Sequence, residues 1–249
     1  MQVLATYNIK GGVGKTATAV NLAFSAASES RRTLVWDLDP QGAASYYFRI
    51  KPKIKGGGKG LLTGKRELDD LIKGTDFEYL DLLPADFSYR NMDLLLDEAK
   101  KPTRRIRKLL KPLADEYDYV ILDCPPSISL VSENIFQATD ALLIPTIPTT
   151  LSLRTYYQII DFFRQGHLDT DKLLPFFSMV DRRKQLHCSI VDEPPRKLSA
   201  ALKTNIPYTS EVERMGVHRA PLGSFSGNNW AAKCYQALWD EVKSRLEVM

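Results

Sequence analysis

A chain of 249 residues with 44% hydrophobic content can bury one sizeable core, and a single domain spanning 1–249 is expected. Its formal net charge of +4, from 34 Lys and Arg against 30 Asp and Glu, says little about partners until the cations are located. The three cysteines, Cys124, Cys188 and Cys234, are too widely spaced for a disulfide framework or a C-x-x-C metal site, and no apolar run approaches the roughly 20 residues that span a bilayer, so a soluble cytoplasmic protein is expected.

Residues 3–7 are apolar and ended by Asn8, which reads as a buried first strand. The stretch Lys10-Gly11-Gly12-Val13-Gly14-Lys15-Thr16 follows and runs into an Ala-rich helical pattern over 17–27. Small residues at such a junction let backbone N–H groups curl round a nucleotide's phosphate tail; the helix N-terminus and Lys15 supply positive potential, and Thr16 a hydroxyl for magnesium. The general phosphate-loop pattern asks for glycine where Ile9 stands, and this loop has a second lysine, Lys10, at its start. From there a side chain does not easily fold back onto its own loop; it is placed to reach another chain's phosphates.

Residues 33–36 form the next strand, ending in Asp37-Leu38-Asp39-Pro40-Gln41-Gly42. Carboxylates at the carboxyl end of a strand, followed by Pro and Gly, belong to the sheet edge where ligands bind in open α/β folds. Asp39 is expected to face the phosphates, with capping of the next short helix as its plainer use. Over 49–66, Lys51, Lys53, Lys55, Lys59 and Lys65 surround Gly56-Gly57-Gly58 without an acidic residue. This reads as a solvated, flexible basic insertion, whose lysines either touch an acidic polymer or simply keep it soluble.

Helical spacing over 68–72, a strand over 79–84 and a long helical region over 88–113, interrupted near Pro102, come next. Lys100, Lys101, Arg104, Arg105, Arg107, Lys108 and Lys111 crowd that region and read as a solvated face. Residues 119–123, Tyr-Val-Ile-Leu-Asp, are a buried strand ending in Asp123, followed by Cys124-Pro125-Pro126-Ser127. A strand over 141–145, a helix over 153–163 and a strand over 174–180 continue the alternation. Crossovers of this length predict an α/β fold: a doubly wound, mostly parallel sheet with helices on both faces. Arg182, Arg183 and Lys184 leave the last strand together, and Arg196, Lys197, Lys203, Arg214 and Arg219 follow. Cations spread over loops suit sequence-independent phosphate contacts. A final helix over 228–246 sets Trp230, Cys234, Tyr235, Leu238, Trp239, Val242 and Leu246 at helical spacing, a core face.

The string K-G-G-x-G-K-[ST] at 10–16 resembles the deviant Walker A motif of the ParA/MinD family of dimerising ATPases. The D-x-D-P-Q-G string at 37–42 and the D-[CT]-P-P-S string at 123–127 resemble the same family's two switch segments. That resemblance covers nearly the whole chain, and the short partition and cargo-positioning branch is the nearest to it. It implies ATP and Mg2+ as cofactors, with Gly11, Gly12, Val13, Gly14, Lys15, Thr16 and Ala17 at the nucleotide, Thr16 and (through water) Asp123 at the magnesium, and Asp39 orienting the attacking water. Lys10 would cross to the nucleotide of a second copy in an ATP-bound homodimer. Asp181 and Pro207, with Met179, would lie near the adenine.

In the partition branch the dimer binds double-stranded DNA non-specifically, and Arg183 falls where an M-x-D-x-R string carries one such contact; Arg182, Lys184 and Lys203 accompany it. A second family arginine falls here on Glu211, with Arg214 and Arg219 as substitutes. The resemblance further implies slow hydrolysis stimulated by a ParB-like or cargo-adaptor protein, and a nucleoid-associated location. It departs from the family at Ala17, where a second hydroxyl residue usually touches the α-phosphate.

Three other functions share the loop. A membrane-surface regulator of the MinD kind needs a basic amphipathic tail, whereas here Lys233, Lys243 and Arg245 are offset by Asp240, Glu241 and Glu247, so no stable membrane association is expected. A redox protein resembling the nitrogenase iron protein needs a second cysteine matched to Cys124, and a kinase or ligase needs a small acceptor. The chain enters its first motif almost at once, so an operator-binding extension is not expected.

Overall fold

The strands are short apolar runs, and burial on both faces is what makes them so. The computed structural model describes residues 1–63, 68–98, 102–198 and 200–248; Lys65, Lys100 and Lys101 of the basic stretches lie outside the described residues. Among these residues the strands are β1 (Gln2–Thr6), β2 (Thr33–Asp37), β3 (Lys73–Gly74), β4 (Leu80–Leu83), β5 (Tyr119–Asp123), β6 (Ala141–Thr146) and β7 (Leu173–Phe177). They form one sheet in the order β3-β4-β2-β5-β1-β6-β7. All neighbours are parallel except β3 against β4. The sequence order reverses across β1, which lies between β5 and β6, and ligand crevices open at the carboxyl ends of strands at such a point.

The helices are α1 (Lys15–Ser28), α2 (Ala43–Tyr47), α3 (Gly57–Thr63), α4 (Met92–Asp97), α5 (Arg105–Leu110), α6 (Leu130–Ala138), α7 (Thr150–Gln165), α8 (Gln185–Asp192), α9 (Ser210–Glu213), α10 (Met215–His218), α11 (Leu222–Ser226) and α12 (Trp230–Leu246). One face of the sheet is covered by α5, α6 and α7, whose Ile106, Leu110, Ile135, Phe136, Ile159 and Phe163 pack on Val3, Ala5, Val120 and Leu142. On the other, α1 and α12 bury Val20, Leu22, Leu238, Trp239 and Val242 against Leu4, Val35, Ile121 and Leu143. Helices on both faces of a mostly parallel sheet are the expected architecture.

Four expectations need correction. The insertion at 49–66 has exposed Lys51, Lys53, Lys55 and Lys59, but its backbone is not simply solvated: α3 crosses it, and Ile54, Leu61 and Leu62 are buried. Its glycines allow close packing rather than slack. Gly58 donates its N–H to the Ser88 hydroxyl at 2.8 Å, and a side chain there would come within 3.2 Å of the Tyr89 ring. Residues 68–72 make a turn, not a helix, because Leu68 and Leu71 are drawn into the core just before the chain becomes β3. The region 88–113 is divided into α4, α5 and three 3-10 turns, with Pro102 opening the middle one. Finally, α12 starts at Trp230, which is 71% exposed rather than in the core; the buried face of its first turn is supplied by Ala231 and Ala232 instead.

Candidate functional site

The loop after β1 is shaped by two glycines in the left-handed region, Gly12 (φ +70°) and Gly14 (φ +93°), which turn the chain sharply enough to start α1 at Lys15. Its two walls are tied to neighbouring strands. Buried Asn8 donates from Nδ2 to the Pro145 carbonyl at 2.9 Å and accepts the Lys10 N–H at 2.9 Å, while the Ser178 hydroxyl donates to the Val13 carbonyl at 2.5 Å. The loop is therefore rigid before any ligand arrives. No acidic residue lies in the first turn of α1, so the positive end of its dipole is not cancelled.

Lys15 is buried, and its Nζ donates to the Lys10 carbonyl at 3.2 Å. Burial pushes its pKa down while Asp123, Cys124 and Asp39 pull it back up. A desolvated ammonium beside a helix N-terminus attracts an anion strongly. The Lys10 side chain is only half-buried, and its ammonium has no hydrogen-bond or ion-pair partner among the described residues.

Two carboxylates meet beside the loop because β2 and β5 are in register at their ends, Asp37 opposite Asp123. Both are fully buried. Asp37 Oδ2 accepts from the Ser45 N–H at 2.8 Å and the Ser45 hydroxyl at 2.7 Å, whereas Asp37 Oδ1 and Asp123 Oδ2 have no partner at all. Burial pushes Asp37 up to about 6, against the pull of the Ser45 hydrogen bonds. Asp123 is raised by burial first and by Asp37 second, and the Thr16 hydroxyl draws it back. Orphaned buried oxygens of this kind are unusual and costly. Their donor set, two carboxylate oxygens and the Thr16 hydroxyl, fits a hard, partly hydrated divalent cation. Among the described residues no three His, Cys, Asp or Glu side chains cluster to cage a metal unaided, so the remaining ligands of such an ion would be water and phosphate.

Asp39 is half-buried, and its Oδ1 accepts the Gln41 N–H at 3.0 Å, holding the turn that leads through Gly42 into α2. Asp39 thus braces the turn but does not cap α2, whose N-cap is Gly42 with no side-chain hydrogen bond, and its second oxygen remains available. Ala17 is buried with no hydroxyl to offer, and the neighbouring Thr18 does not replace it, since its hydroxyl is spent on the Gly14 carbonyl at 2.8 Å.

A family model described as an AAA domain, AAA_31, matches residues 1–174. The sporulation initiation inhibitor protein Soj of Bacillus subtilis is 31% identical over 247 residues, 97% of this chain and 98% of that one. The chromosome partitioning protein ParA of Myxococcus xanthus is 38% identical over 198 residues, 77% of this chain and 70% of that one. The chain belongs to the ParA/Soj family of P-loop ATPases. Its fold matches that of a putative plasmid partition protein from Borrelia burgdorferi bound to AMPPNP, with a TM-score of 0.85 at 21% identity, covering 98% of this chain and 99% of the other.

Seen as a ParA/Soj chain, the C-terminal third departs from expectation in how its charges are used. Pro207 lies beside Val180 in a parallel bridge, next to Met179, whose φ is +53°. Both Asp181 oxygens, however, are taken by the Arg183 guanidinium, at 2.8 and 2.9 Å, which holds that carboxyl down at about 2. Arg183, although 82% exposed, therefore carries its countercharge with it. Arg182 is paired with Asp192 at 2.8 Å and Arg214 with Glu211 at 3.0 Å. Glu211, which stands where the family has an arginine, thus neutralises the proposed substitute. Lys184 and the Lys203 side chain are exposed. Arg219 donates to the Tyr46 carbonyl of α2 at 3.1 Å and lies 4.5 Å above the Tyr46 ring.

Reading the sequence missed Asp37, Asn8, Ser45, Ser178 and His187. Asp37 left half a signal: it ends its strand as Asp123 does, but only the pairing of β2 with β5 in the fold brings the two carboxylates together. The buried His187, whose Nδ1 accepts the Asp181 N–H at 3.1 Å, left no signal in spacing.

Proposed function

We propose that this chain, acting as one domain over 1–249, is an ATP-dependent dimerising switch that binds DNA without sequence preference in its ATP state and partitions or positions DNA or a protein cargo. In this reading Lys15 and the backbone N–H groups from Gly11 to Ala17 cradle the phosphates. Thr16 and, through water, Asp123 hold magnesium, which when bound neutralises phosphate charge. Asp39 orients a water whose oxygen attacks the γ-phosphorus as the bond to the β–γ bridging oxygen breaks, releasing ADP and inorganic phosphate. Lys10 of a second copy stabilises the charge that develops on the leaving oxygen. Hydrolysis is slow until a partner protein stimulates it.

The observation that carries the reading is the contrast between the two lysines of one loop. Lys15 is buried and turned onto its own loop, while Lys10 stands half-exposed with its ammonium unengaged. DNA is held by Arg182, Arg183, Lys184, Lys203, Arg214 and Arg219, several of which exchange a carboxylate for a phosphate on binding. Surface ion pairs worth about 0–1 kcal/mol are readily exchanged in this way. A MinD-like membrane role finds less support, because the apolar face of α12 is spent on α1 and Lys243 is engaged by Glu29 at 2.7 Å and Asp240 at 3.1 Å.

The deciding experiment measures DNA binding with ATP, with ADP and without nucleotide. Binding that requires ATP and does not depend on DNA sequence is the expected result. Equal binding in all three states sinks the switch, and ATP-dependent sedimentation with anionic vesicles would favour the membrane reading.

A further inference from the structure

Two arginines outside the glycine class adopt left-handed backbone angles at the ends of two short helices. Arg49, at φ +60°, lies just beyond α2, and Arg219, at φ +49°, caps α10. Such angles are strained for a non-glycine residue and persist where surrounding contacts enforce them. Here the contacts are reciprocal. Arg49 Nη2 donates to the carbonyl of His218, the last residue of α10, at 3.0 Å, and Arg219 Nε donates to the carbonyl of Tyr46, in the last turn of α2, at 3.1 Å. Each helix thus has a C-terminal carbonyl capped by the cation that ends the other. Helix C-termini present unpaired carbonyls and negative potential, so a guanidinium is the favoured partner at each end. The Tyr46 ring under Arg219, and Asp76 paired with Arg49 Nη1 at 3.1 Å, hold both guanidinium groups in place.

The two helices touch each other and lead to different sites. α2 begins at the turn made by Asp39 and Gly42, and its Ser45 gives both its N–H and its hydroxyl to Asp37 Oδ2, beside Asp123; the same hydroxyl accepts the Ala85 N–H at 3.0 Å. α10 starts from Arg214, whose Nη2 is 3.3 Å from His218 Nε2, and ends at Arg219. A rigid helix of five residues therefore has the phosphate-side carboxylate at one end and a cation-bearing helix at the other.

We propose that this reciprocal arginine cross-cap couples the two sites: Tyr46 and Arg49 are positioning residues through which occupancy of the Asp37–Asp123 pocket sets the placement of α10 and its arginines. Only the DNA arm of its test rests on the function proposed above. When a divalent cation that carries the phosphates engages the unpartnered oxygens of Asp37 and Asp123, the change reaches Ser45 and α2 through Asp37, and the two arginine links pass it to α10, which is otherwise held by Met215 in the core and by His218 stacked on Phe225.

The test uses the full-length chain with Tyr46→Leu and Arg49→Lys, singly and together, all of which preserve net charge. Tyr46 is half-exposed and Arg49 exposed, so folding is expected to survive, and the single variants stand in if the double does not fold. Amide hydrogen exchange is measured with and without magnesium-ATP. In the native chain the amides of 215–219 are expected to change their exchange by about fivefold or more, the lower range of an allosteric coupling. In the double variant, which removes the ring under Arg219 and the guanidinium on the His218 carbonyl but leaves the Tyr46 carbonyl, that response is expected to fall by about threefold or more, while the amides of 12–16 remain protected by nucleotide as before. An unchanged α10 response in the variant, or no α10 response in a native chain that plainly protects its phosphate loop, overturns the proposal. The second arm compares DNA affinity with and without ATP: the ratio should fall toward one in the variant while the salt slope stays the same. A native chain that binds no DNA in any state defeats the proposed function but leaves the exchange arm able to judge the coupling.

Discussion

At the carboxyl ends of β2 and β5, buried oxygens of Asp37 and Asp123 have no partner, whereas four arginines of the C-terminal third have each found one: Asp192 for Arg182, Asp181 for Arg183, Glu211 for Arg214, the Tyr46 carbonyl for Arg219. The difference separates two kinds of readiness. Buried unpaired oxygens carry a standing cost that a cation bound with the phosphates relieves, so the phosphate site should bind tightly and resist salt. Exposed arginines lose little by trading a carboxylate for a phosphate, so the cation surface should bind weakly, reversibly and with strong salt dependence. A switch needs that asymmetry: a firm hold on nucleotide and a loose hold on what it releases.

Lys10→Ala tests the firm side most sharply. Stimulated hydrolysis is expected to fall by about 10²–10³, the cost of one preorganised donor to developing charge, while nucleotide binding to the monomer stays close to native. Loss of monomer binding instead would put Lys10 on its own phosphates. Dimerisation followed by light scattering with magnesium-ATP gives an independent reading.

Asp37 gives a pH signature. Burial raises its folded pKa to about 6 from 3.8, so between these values the folded chain holds a proton that the unfolded chain has lost. Stability of the ligand-free protein should therefore decline as pH rises from about 4 through 6, and the raised Asp123 beside it should continue the decline at higher pH. Asp37→Asn should flatten that decline and raise the melting temperature of the ligand-free protein at pH 7, while weakening its response to magnesium-ATP. Urea melts across the pH range check it; an unchanged slope would mean that the proton resides elsewhere.

Ala17→Thr should tighten nucleotide binding by about 1 kcal/mol, the worth of one added hydrogen bond, as read by calorimetry. Unchanged or weaker binding would show that Thr18, or backbone alone, suffices. The smallest effect belongs to the loose side: Arg183→Ala should weaken binding equally on unrelated DNA sequences and make the salt slope shallower by about 0.9. A sequence-selective loss would contradict a phosphate contact.

Much of the phosphate site is legible in the chain because its parts are short and local. Glycines and a lysine within seven residues dictate a turn, a helix start and a charge, and each apolar strand announces the carboxylate at its end. The basic stretches are not legible in the same way. Gly56-Gly57-Gly58 reads as slack, yet Tyr89 and Ser88, thirty residues on, turn it into a packing surface. The lysines around it look like a charge run, and nothing in their spacing says that Arg49 reaches His218, 169 residues away.

The sequence by itself determined that a nucleotide-phosphate loop sits between a buried strand and an Ala-rich helix, that two strands end in aspartates, and that the sheet is mostly parallel with helices on both faces. These follow from backbone sterics and from the burial of apolar runs, which act over a few residues. Only the tertiary structure decided which aspartate stands beside Asp123, which arginine keeps a countercharge, and that Arg49 and Arg219 cap each other's helices. Those outcomes depend on charges and carbonyls brought together from distant parts of the chain, and electrostatic partnership follows distance in space, which residue order does not encode.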